Sequence, residues 1–190
     1  MAVTAPERLT ADEFVALPGD LRYTQLIDGA VVVDSPNTRH QRVADWILHK
    51  LMSFAEEHPN LGEAGSGLQA RLDDRNVFVP DVWWRVDERR LPREGPGHVG
   101  PPDLVVEVRS PTTWRYDVHV KKSRYEAAGT PELWLVDTVA DSVLVFRRSS
   151  PAEPLFESEP TRIERKPTLP PADPAPADPM DLLGMLGMDE

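Results

Sequence analysis

Two carboxylates in this sequence stand where a charge is expensive. Glu107 interrupts the apolar run LVVEV, and Asp81 lies in VFVPDVWW between aliphatic and aromatic residues. A buried carboxylate without compensation either costs several kcal/mol or stays protonated. Two arrangements resolve this. Each acid can pair with an arginine or cap a turn, or the two can converge from adjacent strands on one hard divalent cation. Mg²⁺ is commonly held in the second way, by one or two carboxylates plus water. Pro102-Asp103 repeats the dipeptide Pro80-Asp81, but positions 103 and 107 are four apart on one strand, about 13 Å, too far to share an ion. Asp103 is therefore expected to order the start of its strand. Arg109, two residues beyond Glu107, falls on the same strand face about 6.6 Å away. There it either neutralises the acid or stands beside a metal, although a guanidinium cannot serve as a base.

Lys121 follows Asp117 by four residues and precedes Tyr125 by four, so all three share one helical face. An i,i+4 ion pair accounts for Asp117 and Lys121 as they stand, and Lys122 points about 100° away. His40 opens a long helical segment, where a lone histidine caps the helix or lies at the surface. Five scattered histidines and no cysteine leave no zinc site, disulfide or thiol nucleophile. No G-x-x-x-x-G-K or G-x-S-x-G occurs.

The elements that must position these residues follow from local patterning. T-A-D-E at Thr10 reads as a capping box opening a short helix that ends by Pro18. LRYTQLI and AVVVD flank Asp28-Gly29, a two-residue hairpin turn. From Thr38 to about Glu57 the positions Val43, Trp46, Ile47, Leu51 and Phe54 recur at helical spacing and predict one buried stripe. Gly62, Gly65 and Gly67 are expected to break the chain. GLQARL and VFVPDVWWRV read as two strands around a turn at 73–76, and REGPGHVGPP as a loop. LVVEV, then a helix from the Ser110-Pro111 turn to Gly129, then LWLVD, predict a crossover between parallel strands. VLVFRR follows around a turn at Asp141-Ser142. The expected class is α/β or α+β, a mixed sheet flanked by helices with an N-terminal β-hairpin. Trp83, Trp84, Trp114 and Trp134 are expected in the core.

The 190 residues are 40% hydrophobic and 28% charged, enough for one domain with a core plus an appendage. The net charge is −11. Residues 151–190 hold three cations and nine acids, which leaves residues 1–150 with 18 basic and 23 acidic, a net of −5. Such a balance argues against a protein that coats nucleic acid by charge alone. The reading is a domain over 1–150 and a Pro-rich acidic tail over 151–190, partly disordered. Within the tail, DPMDLLGMLGMDE can form a short terminal helix, although Gly184 and Gly187 each weaken it by ~1 kcal/mol. No run of 18 apolar residues and no secretory pattern at the N-terminus is present, so no membrane association and a cytoplasmic location are expected.

In order, the chain presents Y-x-x-L-I-D-G, S-P-x-x-x-H-Q at 35–41, P-D at 80–81, P-D-L-V-V-E-V at 102–108, D-x-x-x-K-x-x-x-Y at 117–125 and P-E-L-W-L-V-D at 131–137. This succession resembles the PD-(D/E)XK nuclease superfamily, in its bacterial branch of restriction-endonuclease-like proteins, over about residues 10–148. The resemblance implies a metal-dependent endonuclease hydrolysing phosphodiester bonds, with DNA as the expected nucleic acid, Mg²⁺ or Mn²⁺ as cofactor, and a homodimer. Carried over, Asp81 and Glu107 bind the metal. Lys121 is the catalytic lysine, displaced from the strand onto the next helix, and His40 lies near the cleft or a subunit contact. Two residues depart from the pattern. Gln25 replaces a glutamate in the hairpin and removes one acidic contact to the ion, while Arg109 stands where the branch commonly has an apolar residue. Gln25 also keeps open an alternative, a nuclease-fold protein that binds or regulates with weak or no catalysis.

Overall fold

The computed structural model describes residues 8–19, 21, 23–92, 94, 98–150 and 152–164. Helix α1 (Ala11–Val15) opens on the expected capping box, in which Thr10 accepts from the Glu13 amide and Glu13 reaches back to Thr10. Strands β1 (Thr24–Ile27) and β2 (Ala30–Val33) form the hairpin, with Asp28 at φ 49° and Gly29 at φ 78° as a primed turn requires. Helix α2 (Thr38–Glu57) starts where Asn37 caps the His40 amide.

Strands β3 (Gly62–Gly65), β4 (Gln69–Asp73), β5 (Asn76–Phe78), β6 (Val82–Val86), β7 (His98–Val99) and β8 (Leu104–Val108) follow. Residues 114–128 then run as one helix, α3. Its middle, Asp117–Lys121, is a π-helical turn, and left-handed Gly129 closes it at φ 91°. Strands β9 (Glu132–Asp137), β10 (Ser142–Arg147) and β11 (Thr161–Glu164) complete the order.

The strands divide into two sheets, β2-β1-β5-β4-β7 and β11-β10-β9-β8-β6-β3. The second is mixed: β8 runs parallel to β9 across α3 and antiparallel to β6. The α+β class is as expected, but the strands form two sheets rather than one, and the hairpin lies in the first, where β1 pairs with β5. VFVPDVWWRV is two strands rather than one, because Pro80 cannot donate to a ladder and the chain passes from one sheet to the other at 79–81. Gly62 and Gly65 do not break the chain. They lie in edge strand β3 against β6, where a Cβ would collide with the Trp84 ring at Gly62 and the Trp83 ring at Gly65.

Alternation along β8 decides which way each residue faces. Val106 and Val108 pack with Ala44 and Ile47 of α2, whereas Val105 joins Tyr125 of α3, Leu133, Leu135, Phe78 and Ile27. Glu107 has the parity of Val105 and so turns toward α3. The buried stripe of α2 is His40, Ala44 and Ile47, and Trp46 and Phe54, expected inside, are exposed. The packed region also extends past residue 150. Phe156 is buried against Phe146, and β11 pairs with β10 within the stretch read from composition as tail. The proposed terminal helix lies outside the described residues. No helix among the described residues is long and apolar enough to cross a membrane.

Candidate active site

Pairing of β6 with β8 sets Val82 opposite Val106. One step further, residues 81 and 107 meet at the end of the ladder, and the Val108 amide donates to Asp81 Oδ2 at 2.7 Å. His40 Nε2 lies 3.0 Å from the same oxygen. Asp81 and His40 line a cleft of about 190 Å³ with Gln25, Asp34, Gln41 and Asp45.

Glu107 is buried. Its Oε1 accepts from the Tyr125 hydroxyl at 2.8 Å, and its Oε2 lies 2.7 Å from Lys121 Nζ. Lys121, itself 1% exposed, also reaches Asp117 Oδ1 at 3.0 Å. The π turn belongs to this arrangement, since it sets Asp117, Lys121 and Tyr125 inward together; such turns recur at functional sites. A relay of hydroxyls continues outward: Thr113 donates to Asp117, Ser110 meets Thr113 at 2.8 Å, and both Ser110 and Thr112 donate to Asp34 on the cleft wall.

Burial pushes the Glu107 carboxyl up to about 8, against the pull of Lys121 and with the help of Asp117 and Asp81. Burial likewise raises Asp117, again opposed by Lys121. Burial would lower Lys121, yet the charges of Asp117 and Glu107 carry it above its ordinary value, so it is held as the ammonium. Burial also works against protonated His40, and the hydrogen bond and charge of Asp81 reverse the balance to a net rise. His40 Nδ1 is buried with no hydrogen-bond partner.

Three carboxylates, Asp81, Glu107 and Asp117, thus surround one ammonium. Burial keeps a proton on Glu107 when no cation answers it, and these hard oxygen donors, more numerous than the cations beside them, fit a divalent cation at Asp81 and Glu107 that would take that proton's place. Among the described residues no three His, Asp or Glu side chains form a metal cage. A two-carboxylate site completed by water and phosphate suits an ion of the Mg²⁺ type.

Lys121 stands beside Glu107 and His40 beside Asp81. Gln25 borders the cleft, 4% exposed, with its Oε1 accepting from the Val79 amide. Arg109 does not join Glu107. The strand ends at Val108, and Arg109 Nη1 donates to both carboxylate oxygens of Asp137, at 2.9 and 3.0 Å, its guanidinium over Trp114. Asp103 orders its strand as expected, accepting from the Val86 amide and pairing with Arg89. Asp34, Ser110 and Thr113 were not singled out as site residues from sequence. The signal available was their place beside the two Ser-Pro dipeptides, Ser35-Pro36 and Ser110-Pro111.

Residues 11–176 match the model of the Uma2 family, described as "putative restriction endonuclease". The fold is shared with the crystal structure of a protein from Anabaena variabilis ATCC 29413 described as a "putative nuclease", at TM-score 0.69 and 22% identity over 83% of this chain and 85% of that one. No protein of curated function matches the chain. With a family match over most of its length and a fold shared with that solved structure, the chain belongs to the Uma2 family of the restriction-endonuclease-like superfamily.

Proposed function

We propose that the protein is a metal-dependent endonuclease that hydrolyses phosphodiester bonds in DNA at the Asp81–Glu107 end of the β6/β8 ladder. The observation that carries this reading is the cluster of buried carboxylates around Lys121, next to a cleft into which Asp81 opens. Asp81 and Glu107 would hold Mg²⁺ or Mn²⁺, which when bound acidifies water and neutralises phosphate charge. The chain's own groups supply the rest. Lys121, fixed by two carboxylates, holds positive charge near the scissile phosphate as negative charge develops there. Tyr125 fixes the Glu107 carboxylate from the other side, and His40 with the Val108 amide orients Asp81. The Ser110–Thr113 relay holds Asp117 against Lys121.

A specific observation favours a second reading, a nuclease fold that binds nucleic acid with weak turnover: position 25 carries an amide in place of a third acid. One assay separates the two. Purified protein is incubated with single- and double-stranded DNA in Mg²⁺, Mn²⁺ or EDTA, beside the Asp81→Asn variant. Metal-dependent nicking that disappears with Asp81→Asn supports the enzyme. Binding without any cleavage in either metal supports the second reading.

A further inference from the structure

Hydrolysis of a phosphodiester leaves one proton to place, that of the attacking water, and the groups around the metal acids are already engaged. Lys121 is held as the ammonium between Asp117 and Glu107. Glu107 is buried with one oxygen on Tyr125 and the other on Lys121. Asp81 is the acid assigned to the ion, and His40 turns its Nε2 to Asp81 while its Nδ1 is buried. Asp34 is placed differently. The hairpin pairs Gln25 with Val32, and one step past Val33 the Asp34 amide donates to the Tyr23 carbonyl, so strand alternation puts Asp34 on the hairpin face that carries Gln25. That face looks into the cleft: Asp34 lines it together with Gln25 and Asp81, near enough for its charge to act on His40.

Three donors converge on one oxygen of Asp34. The Ser35 amide and the Thr112 hydroxyl reach Oδ1 at 2.7 Å and the Ser110 hydroxyl at 3.0 Å, whereas among the described residues none donates to Oδ2. Behind Oδ1, Ser110 also meets Thr113 at 2.8 Å, and Thr113 donates to Asp117 at 3.2 Å. Thr113 spends its hydrogen on Asp117, so Ser110 has one hydrogen for two acceptors, Asp34 and Thr113. It serves Asp34 while that carboxylate is charged and can turn to Thr113 when it is neutral, which fits a group that gains and releases a proton in each turnover. We propose that Asp34 is the general base of the reaction, accepting at Oδ2 the proton of the water that attacks the scissile phosphate. As a residue's role this rests on the nuclease reading above. The water oxygen forms the new P–O bond as its proton passes to Asp34, the P–O bond to the leaving sugar oxygen breaks, and that oxygen takes a proton from solvent. Asp34 then returns its own proton to solvent through the cleft.

The test is single-turnover cleavage of labelled DNA by the full chain in Mg²⁺ or Mn²⁺, in H₂O and D₂O, beside melting curves and calorimetric titration of Mn²⁺. Asp34→Asn keeps an oxygen for Ser35, Ser110 and Thr112 and loses the basic carboxylate. It is expected to slow cleavage by about 10²-fold or more, to lose the solvent isotope effect of the wild type, and to bind Mn²⁺ as the wild type does. Asp34→Glu should recover part of the rate. Asp45→Asn removes an equal charge from the same cleft and should leave the rate unchanged. A folded Asp34→Asn that cleaves at the wild-type rate would overturn the proposal. So would a loss of rate matched by a loss of Mn²⁺ affinity, which would make Asp34 a metal ligand, or an equal loss in Asp45→Asn, which would reduce the effect to cleft charge. If Asp34→Asn cleaves normally while Asp81→Asn does not, Asp34 alone is refuted and the metal site stands. A wild type that cleaves in neither metal overturns the nuclease reading and this role with it.

Discussion

The β6/β8 pair ends twice in the same dipeptide, and the two ends have different chemistry. Asp81 precedes β6 and accepts from the amide of Val108, the last residue of β8; Asp103 precedes β8 and accepts from the amide of Val86, the last residue of β6. Backbone geometry gives both aspartates the same job, closing an antiparallel ladder. Their surroundings differ. At the 103 end Arg89, 41% exposed, meets the carboxylate at 2.5 Å and also donates to Pro101, so the charge is answered within reach of water. At the 81 end the nearest cation-forming group is a buried histidine, with two more buried acids beyond it sharing one lysine. A Pro-Asp dipeptide therefore specifies a strand end, and the site arises where the fold adds carboxylates faster than cations.

The sharpest way to break the comparison is to remove the cation at each end. Lys121→Met leaves Glu107 and Asp117 buried without their partner, and is expected to cost about 3–5 kcal/mol of stability. Arg89→Met removes a half-exposed partner and should cost at most about 1 kcal/mol. Chemical denaturation of both variants measures the difference. Equal losses would show that the 81 end is no more strained electrostatically than the other.

Next in size is the effect on turnover. Asp81→Asn keeps an oxygen for the Val108 amide and loses only the charge, and DNA cleavage should fall at least ~10²-fold. Asp103→Asn should leave cleavage at the wild-type level and cost about 1 kcal/mol of stability from its weakened bond to Arg89. A nicking assay with matched melting curves decides this. If Asp103→Asn abolished cleavage in a stable protein, the functional end would have been misassigned.

These residues also show how far the sequence could be read. Glu107 was legible as a buried acid because it interrupts the apolar run LVVEV, a local pattern. The capping box, the Asp28-Gly29 turn and the limits of α2 were legible for the same reason. Arg109 was misjudged because parity holds only within a strand, and β8 ends one residue earlier. The outward turn of Trp46 was hidden because 43/46/47/51/54 and 40/44/47/51 are both helical stripes, and only the packing of α2 on β6 and β8 chooses between them. Asp34 joins the site through hydroxyls 76 and 78 residues away, a contact no local pattern encodes.

A smaller effect separates the two ends by pH. Glu107 has an ordinary value of 4.5 and is raised in the fold to about 8, so the folded chain holds a proton there that the unfolded chain releases. Its contribution to stability is complete below about 4.5 and is lost as pH rises through about 8. In EDTA the melting temperature should decline over that window. His40, also raised, contributes with the same sign. Glu107→Gln should flatten the Glu107 part of the slope and leave the His40 part, whereas Asp103→Asn should leave the wild-type slope. An unchanged slope in Glu107→Gln would mean that Glu107 does not hold the proton.

The smallest expected effect sharpens the comparison at the cleft itself. Gln25 lies 4% exposed with its Oε1 on the Val79 amide, one residue before Pro80-Asp81, so its amide steadies the segment that carries Asp81 without adding charge. Gln25→Glu preserves an oxygen for Val79 and places a further carboxylate in a cleft already lined by Asp34, Asp45 and Asp81. Without metal that charge is buried and repelled, so the variant should melt below wild type in EDTA. With Mn²⁺ the same charge becomes a donor, and affinity should rise roughly tenfold, about 1.4 kcal/mol, as ligand charge is added. Calorimetric titration of Mn²⁺ beside melting curves with and without the ion reads both halves. A variant destabilised in EDTA whose Mn²⁺ affinity does not rise would place residue 25 beside the metal's surroundings and outside its coordination. A variant that is neither destabilised nor tightened would remove the electrostatic account of the cleft, since an added buried carboxylate there cannot be neutral in both states.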